Sequence, residues 1–231
     1  MRLLLALPLL AACAAAHAAR PFVTDDARIV DPDGWQVETF VKRQHRFRER
    51  EFWFLPAHNP GSALGGGRME FTLGRYGVDS PAQGDNQATL MQVKTLLKPL
   101  ETNGSGFALT LGAARVEPFQ APRAWNPYVN GIGSMSFADD RVVLHANLGG
   151  VRDRPANRSR ATWGVGAEVM LSAPRFIGIV ESYGQSGEKP TFHTGLRIWV
   201  VPNRWQVDAT VGRQDANLPR RFTSVGIRLL F

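Results

Sequence analysis

Polar and apolar side chains alternate with period two along most of the chain. In Ala161-Thr162-Trp163-Gly164-Val165-Gly166-Ala167-Glu168-Val169-Met170-Leu171, the odd positions carry Ala, Trp, Val or Leu and the even ones Thr, Gly, Glu and Met. Side chains of a strand point alternately to its two faces, so this pattern predicts strands with one apolar and one polar face. Gly, Pro, Asn and Asp punctuate the alternating runs at turn spacing. The runs place strands near 34–43, 51–57, 68–77, 87–99, 104–116, 127–137, 141–151, 160–171, 175–184, 190–201, 204–213 and 221–231. About twelve antiparallel strands follow, with almost no helical period anywhere after the N-terminus.

Composition narrows the class. The chain has 231 residues, 44% of them hydrophobic and 20% charged, with a mean hydropathy of -0.18. No apolar run of about 18 residues follows the N-terminus, which excludes membrane-spanning helices and leaves a globular β domain or a membrane β-barrel. Residues 1–18 read as a secretory signal: Arg2 gives the positive start, Leu3 to Leu10 the apolar core and Ala16-His17-Ala18 a small-x-small cleavage site. Leu10-Ala11-Ala12-Cys13 offers the alternative of a lipidated Cys13. In either case the chain is exported, and the body beyond residue 18 holds no cysteine to cross-link it.

A barrel is the arrangement that suits rows such as Trp163, Val165, Val169 and Leu171. Hydrocarbon then lies outside them, and closure leaves no strand edge with unpaired backbone groups. Twelve is an even number, as single-chain bacterial outer-membrane barrels require. The expected division is a signal peptide over 1–18, a periplasmic N-terminal segment over 19–33 and a transmembrane barrel over 34–231. Tight turns are expected at 101–103, 138–140, 172–174 and 202–203, with longer loops at 78–86, 117–126, 152–159, 185–189 and 214–220. The connection 59–67, with Gly65-Gly66-Gly67, breaks that alternation. The six tryptophans mostly fall near strand ends, where aromatic girdles form.

The last residues add a motif. Val225, Ile227, Leu229 and Phe231 alternate against Ser224, Gly226 and Arg228, and the chain finishes on an aromatic. This resembles the C-terminal signal that outer-membrane barrels present to their assembly machinery, carried here by Ser224, Gly226, Leu229 and Phe231. Further segments are Pro21-Phe22-Val23-Thr24-Asp25-Asp26-Ala27, His145-Ala146-Asn147-Leu148-Gly149, the strand around Glu181, and Gly195 to Pro202 running into Gln206 to Gly212. Together they resemble the transporter-like outer-membrane family named after the MetA pathway of phenol degradation. The resemblance implies a barrel that passes small, often aromatic or apolar, compounds; it brings no catalytic residue.

If the apolar rows face lipid, then His145, Asn147, Glu168, Glu181, Arg197, Asp208 and Arg228 point into the lumen. Counted from their turns they form one belt, and its charges should pair, because unpaired charges in a partly dry lumen are costly. The belt reads either as a polar constriction that selects a solute or as a ladder of ion pairs that fills a narrow barrel; the ladder is the heavier reading. Asp25 and Asp26 can plug the lumen by pairing with Arg228 or cap a local turn, and the local cap is the expectation.

The formal charge is +7, with the excess concentrated in arginine. Arg43, Arg46, Arg48 and Arg50 crowd the first loop, Arg152, Arg154, Arg158 and Arg160 the fourth, and Arg213, Arg220 and Arg221 the last. Such a mouth suits lipopolysaccharide phosphates, anionic solutes or plain solvation. Export argues against nucleic acid. No G-x-S-x-G elbow, phosphate loop or spaced metal-ligand set is present, so neither cofactor nor metal is expected. The reading is a monomeric outer-membrane barrel of a Gram-negative bacterium, acting as a passive channel for small hydrophobic or aromatic molecules. The alternatives are an envelope barrel with a filled lumen and, more remotely, a lipid hydrolase with His145 as base and a strand serine as nucleophile.

Overall fold

Period-two alternation needs a surface on which both faces have a use, and here it finds one. The structure, a computed structural model, describes residues 22–81, 84–117, 124–215 and 219–231. The expected signal peptide over 1–18, Cys13 and residues 19–21 lie outside the described residues. Twelve strands follow in order: β1 (Trp35–Gln44), β2 (Arg50–His58), β3 (Met69–Asp79), β4 (Asn86–Lys98), β5 (Ser105–Glu117), β6 (Ala124–Phe137), β7 (Val142–Asp153), β8 (Arg158–Met170), β9 (Phe176–Gln185), β10 (Thr191–Val201), β11 (Trp205–Gln214) and β12 (Arg220–Leu230). Each pairs antiparallel with its successor, and β12 pairs with β1 to close the barrel. Closure extends into the last backbone bonds, where Trp35 and Phe231 exchange N–H···O contacts of 2.9 and 3.0 Å. Every strand therefore has two neighbours, and no edge is left in the membrane.

The outward rows are apolar. Leu73, Leu111, Leu148, Val165, Val211 and Val225 are all at least half exposed on the outer wall. In water such a band is an aggregation surface, whereas in a bilayer it meets hydrocarbon. The inward rows carry the buried polar side chains.

The connections differ from the expected alternation. Strands run further than the sequence pattern indicated, so β7 and β8 are joined by a tight turn over 154–157 where a longer loop over 152–159 was expected. The paired backbone persists through Asp153↔Arg158 because each added residue gains a ladder partner. The connection between β2 and β3 is long, as the break in alternation at 59–67 indicated, and lies at the end of the barrel where β1 begins and β12 finishes. It folds into two 3-10 turns, Gly61–Ala63 and Gly65–Gly67. Its role is local closure: the Asn59 amide donates to the Val30 and Gly67 carbonyls, at 2.9 Å each. Tryptophans also divide. Trp35, Trp163 and Trp205 face outward, but Trp53 turns into the lumen and stacks between Phe40 and Tyr76.

Candidate functional site: the plugged lumen

The segment before β1 has no period and forms no strand, yet residues 22–33 contain some of the most deeply buried residues. Phe22, Thr24, Asp26 and Ala27 are buried inside the barrel. This corrects two expectations. The segment, expected in the periplasm, enters the lumen; Asp25 and Asp26 do cap locally, accepting from the Asp26 and Arg28 N–H groups at 2.9 and 3.0 Å, but they also plug the lumen, with Lys94 as a cation partner. An extended segment in a lumen leaves its N–H groups without ladder partners, so the wall must supply acceptors. It does so strand by strand.

The Val30 N–H donates to Glu70 of β3 at 2.8 Å, and the Ala27 N–H to Ser134 of β6 at 2.8 Å. The Asp25 N–H donates to Asn147 of β7 at 2.7 Å, while the Asn147 amide returns a bond to the Asp25 carbonyl at 2.9 Å. Both oxygens of Glu181 on β9 are taken, by the N–H groups of Val23 at 2.8 Å and Thr24 at 2.7 Å. Charge fixes the middle of the segment. Lys94 of β4 reaches Asp25 at 2.8 Å and Asp26 at 3.9 Å, and Arg28 reaches Glu168 at 3.3 Å.

The wall is shaped to admit this segment. A methyl group added at Gly166 would lie 2.4 Å from the Phe22 ring, and one at Gly164 2.8 Å from the Thr24 hydroxyl. The two β8 glycines are thus the bare track along which the tip of the segment lies.

The seven residues expected to form one belt lie in separate contact groups. All seven residues point inward. Arg197 joins Glu168 and Asp208: its Nε and Nη2 lie 3.1 and 3.0 Å from the Asp208 carboxylate, and its Nη1 meets Glu168 directly. His145 lies beside this triad, 3.9 Å from Glu168, and its Nδ1 is 2.9 Å from the Ser134 hydroxyl. Glu181 pairs instead with His193, whose other ring nitrogen contacts Thr210 at 2.6 Å, and Thr210 contacts Ser224. Ser224 therefore faces the lumen as well as belonging to the C-terminal motif, while Gly226 packs inward and Leu229 and Phe231 close the seam with β1. Arg228 binds Gln36 at 2.6 and 2.9 Å and Glu38 at 3.3 Å.

Sequence reasoning missed Lys94, Glu70, Glu38 and His193. The signal for His193 was available, since it shares the inward row of β10 with Arg197. Beyond the plug, toward the opposite end, the inward rows change character. Phe40, Leu55, Leu90, Tyr128 and Val151 form an apolar cluster, with Trp53 against it. Among the described residues no group of His, Cys, Asp and Glu is placed to hold a metal ion.

A barrel whose outer wall is apolar and whose inner wall is a paired polar network is an outer-membrane-type barrel. The chain belongs to the family described as uncharacterised conserved protein UCP029691, whose model matches residues 6–231. No curated protein is similar to it in sequence. Among solved structures it is similar to outer membrane phospholipase A from Escherichia coli, with a TM-score of 0.51 at 10% identity, covering 89% of this chain and 93% of that one. It is also similar to the calcium-bound phospholipase dimer of Salmonella typhi, with a TM-score of 0.51 at 9% identity, covering 87% and 92%. A further similar structure is the CymD monoaromatic hydrocarbon channel, with a TM-score of 0.48 at 7% identity, covering 89% and 90%. At these identities the likeness is one of fold. The family resemblance read from the sequence holds at the level of the outer-membrane barrel; the matched family's description carries no pathway.

Proposed function

We propose that the protein is an outer-membrane channel, closed at rest by residues 22–33, that passes small apolar or aromatic molecules when this segment leaves the lumen. The observation that carries the reading is how the lumen is closed. The barrier is the segment just before β1, held mainly by hydrogen bonds and ion pairs to the wall, with Ala27 packed against Ala108 and Ile132 and the Phe22 ring edge-on to His145, and it lies against two bare glycines. Bonds to the Glu70 and Glu181 carboxylates contribute about 1.5–3 kcal/mol each and neutral ones about 0.5–1.5, and water entering the vacated lumen replaces them in part. The apolar cluster around Phe40, Trp53, Leu90 and Tyr128 supports an apolar rather than a sugar-like solute. The same reading puts the turns at 99–104 and 138–141 in the periplasm and the arginine-rich end outside. It includes recognition of the C-terminal strand by the barrel-assembly machinery, and a monomer in the outer membrane of a Gram-negative bacterium.

Efflux from liposomes tests it. The full-length mature barrel should release a phenolic solute slowly, and a barrel lacking residues 22–33 should release it much faster, and faster than a sugar of similar size. Heat-modifiable migration on gels confirms that both are folded. A folded deletion variant that passes neither solute overturns the channel reading.

Two other readings have specific observations behind them. Leu55 and Leu90 are almost wholly enclosed by their neighbours, which favours an envelope barrel with a filled lumen; the failed-efflux outcome above is its signature. The Ser134–His145 contact with Glu168 nearby favours a hydrolase. That contact, however, faces the lumen beneath Ala27, with the wall between it and lipid. Our reading assigns it to holding the plug, and a calcium-stimulated esterase assay showing turnover lost in Ser134→Ala would reverse that assignment.

A further inference from the structure

The arginines at the end of the barrel opposite the start of β1 and the end of β12 are not spread evenly. Around four adjacent strands they form a row on the outer wall. Arg213 of β11 is directly opposite Arg221 of β12 in the register. Arg43 of β1 is opposite Thr223, which places it diagonal to Arg221 on the same face. Arg43 is in turn opposite Arg50 of β2. Like charges facing each other across a strand pair destabilise a sheet, so two such pairs joined by a diagonal call for an anionic partner. The acids nearby do not supply enough charge. Asp215 is bound to Arg213 at 2.6 Å, Asp79 stands opposite Arg50 and Glu49 lies in the β1–β2 loop, but Arg46 and Arg48 of that loop and Arg220 at the start of β12 add three further positive charges.

What lies below the row specifies the partner. Two residues inward along the same faces are Val211, Thr223, Val41 and Phe52, followed by Val225, and Phe192 borders the row on β10. Val41, Phe52, Val211, Val225 and Phe192 are exposed to the surroundings of the barrel. Guanidinium groups thus stand at the upper border of the apolar band, where a lipid's headgroup meets its acyl chains. At ~4.8 Å per strand, three strand spacings span about 14 Å, wider than a single headgroup phosphate. Arginine's planar fork binds phosphate oxygens in pairs and is lightly hydrated, which suits a desolvated interface.

We propose that the outer wall of β11, β12, β1 and β2 is a binding site for a multiply phosphorylated glycolipid of the outer leaflet, its phosphates on Arg213, Arg221, Arg43 and Arg50 and its acyl chains on the valines and phenylalanines beneath. Occupancy neutralises the facing arginines and fixes which end of the barrel lies in that leaflet. The site is on the lipid side of the wall and is independent of whether the lumen conducts.

The test uses the refolded mature barrel and lipopolysaccharide, and measures retained glycolipid after detergent exchange. The probes are native lipopolysaccharide, the same lipid with its phosphates removed enzymatically, and phosphatidylglycerol micelles. Wild type should bind native lipopolysaccharide at least tenfold more tightly than the dephosphorylated form, with affinity falling as salt rises. The quadruple variant R43Q/R50Q/R213Q/R221Q should lose that tenfold, whereas R68Q/R175Q/R204Q, altered at the other end, should keep it. Heat-modifiable migration establishes folding, and if the quadruple variant does not fold, the pair R43Q/R221Q should give an intermediate loss. Equal binding of native and dephosphorylated glycolipid, undiminished binding by the folded variants, equal loss in the control variant, or tighter binding of phosphatidylglycerol than of lipopolysaccharide would each overturn the proposal.

Discussion

Replacing Arg197 by Met removes the cation at the centre of the inner wall and leaves its carboxylates behind. Arg197 is among the largest fully buried side chains of the barrel, and it donates to Asp208 through two nitrogens and to Glu168 through a third. Each charge-assisted bond contributes about 1.5–3 kcal/mol, and breaking a buried pair by removing one partner costs about 3–5 kcal/mol. The lower part of that range applies here, because both acids keep a second donor. Arg28 remains 3.3 Å from Glu168, and the Gln206 amide 3.0 Å from Asp208. Equilibrium urea unfolding of the barrel in lipid vesicles, followed by tryptophan fluorescence, should therefore show a loss of about 3 kcal/mol for Arg197→Met. The decisive comparison is the neutral triple variant R197M/E168Q/D208N, which removes the stranded charges together with their partner. It should recover to within about 1 kcal/mol of wild type, since replacing a whole buried ionic group is often nearly neutral. If the single variant loses well under 1 kcal/mol, water already solvates these carboxylates and the lumen is wet at this level. If the triple variant is as unstable as the single one, the loss comes from packing and not from charge.

Other outcomes follow from the same geometry. Gly166→Val places methyl groups where the Phe22 ring lies, an overpacking of about 1–3 kcal/mol; hydrogen exchange at the Val23 and Thr24 amides should accelerate roughly ten- to hundredfold, and unchanged protection would mean that the segment is held elsewhere. Hydrogen bonds from Ser136 and then Thr102 hold the Asp140 carboxyl below its ordinary range. A depressed value means that this carboxylate stabilises the fold above the usual carboxylate range and stops doing so as pH falls through its lowered value. The melting-temperature gap between wild type and Asp140→Asn should accordingly shrink as pH is lowered from neutral toward about 3, and a gap that widens would contradict the assignment. Deleting Phe231 should reduce the amount of assembled, heat-modifiable barrel in cells while leaving refolding of purified protein into detergent nearly unaffected; equal losses in both would make the residue structural.

Much of the wall was legible because period two is a local signal. β9 was placed at 175–184 and is Phe176–Gln185, and the inward positions of Arg197, Asp208 and Glu168 follow from the same parity. Parity tells which residues share a face, not what that face meets, and this explains the errors. Trp53 and Phe40 are on the lumen side of β2 and β1 although an aromatic in a barrel strand is ordinarily placed outward. The plug was one alternative, but its partners were illegible for another reason. Its partners lie far off in sequence, Glu181 being 157 residues from Thr24 and Lys94 69 residues from Asp25. Nothing in a short polar stretch announces bonds made over such spans. The belt divided into groups because neighbours across strands, such as His193 and Gln36, intervene between its charges. Loop lengths were misjudged where a turn residue marked the bend but the ladder ran past it, as at Asp153 and Arg158.

Because Val23 and Thr24 rest on a carboxylate carried by β9, that stretch cannot settle until the chain as far as Glu181 has been laid down beside it. Until the segment enters, Glu181 lacks the Val23 and Thr24 donors and Lys94 lacks Asp25. A segment that precedes the first strand is thus fixed only after the ninth is in place.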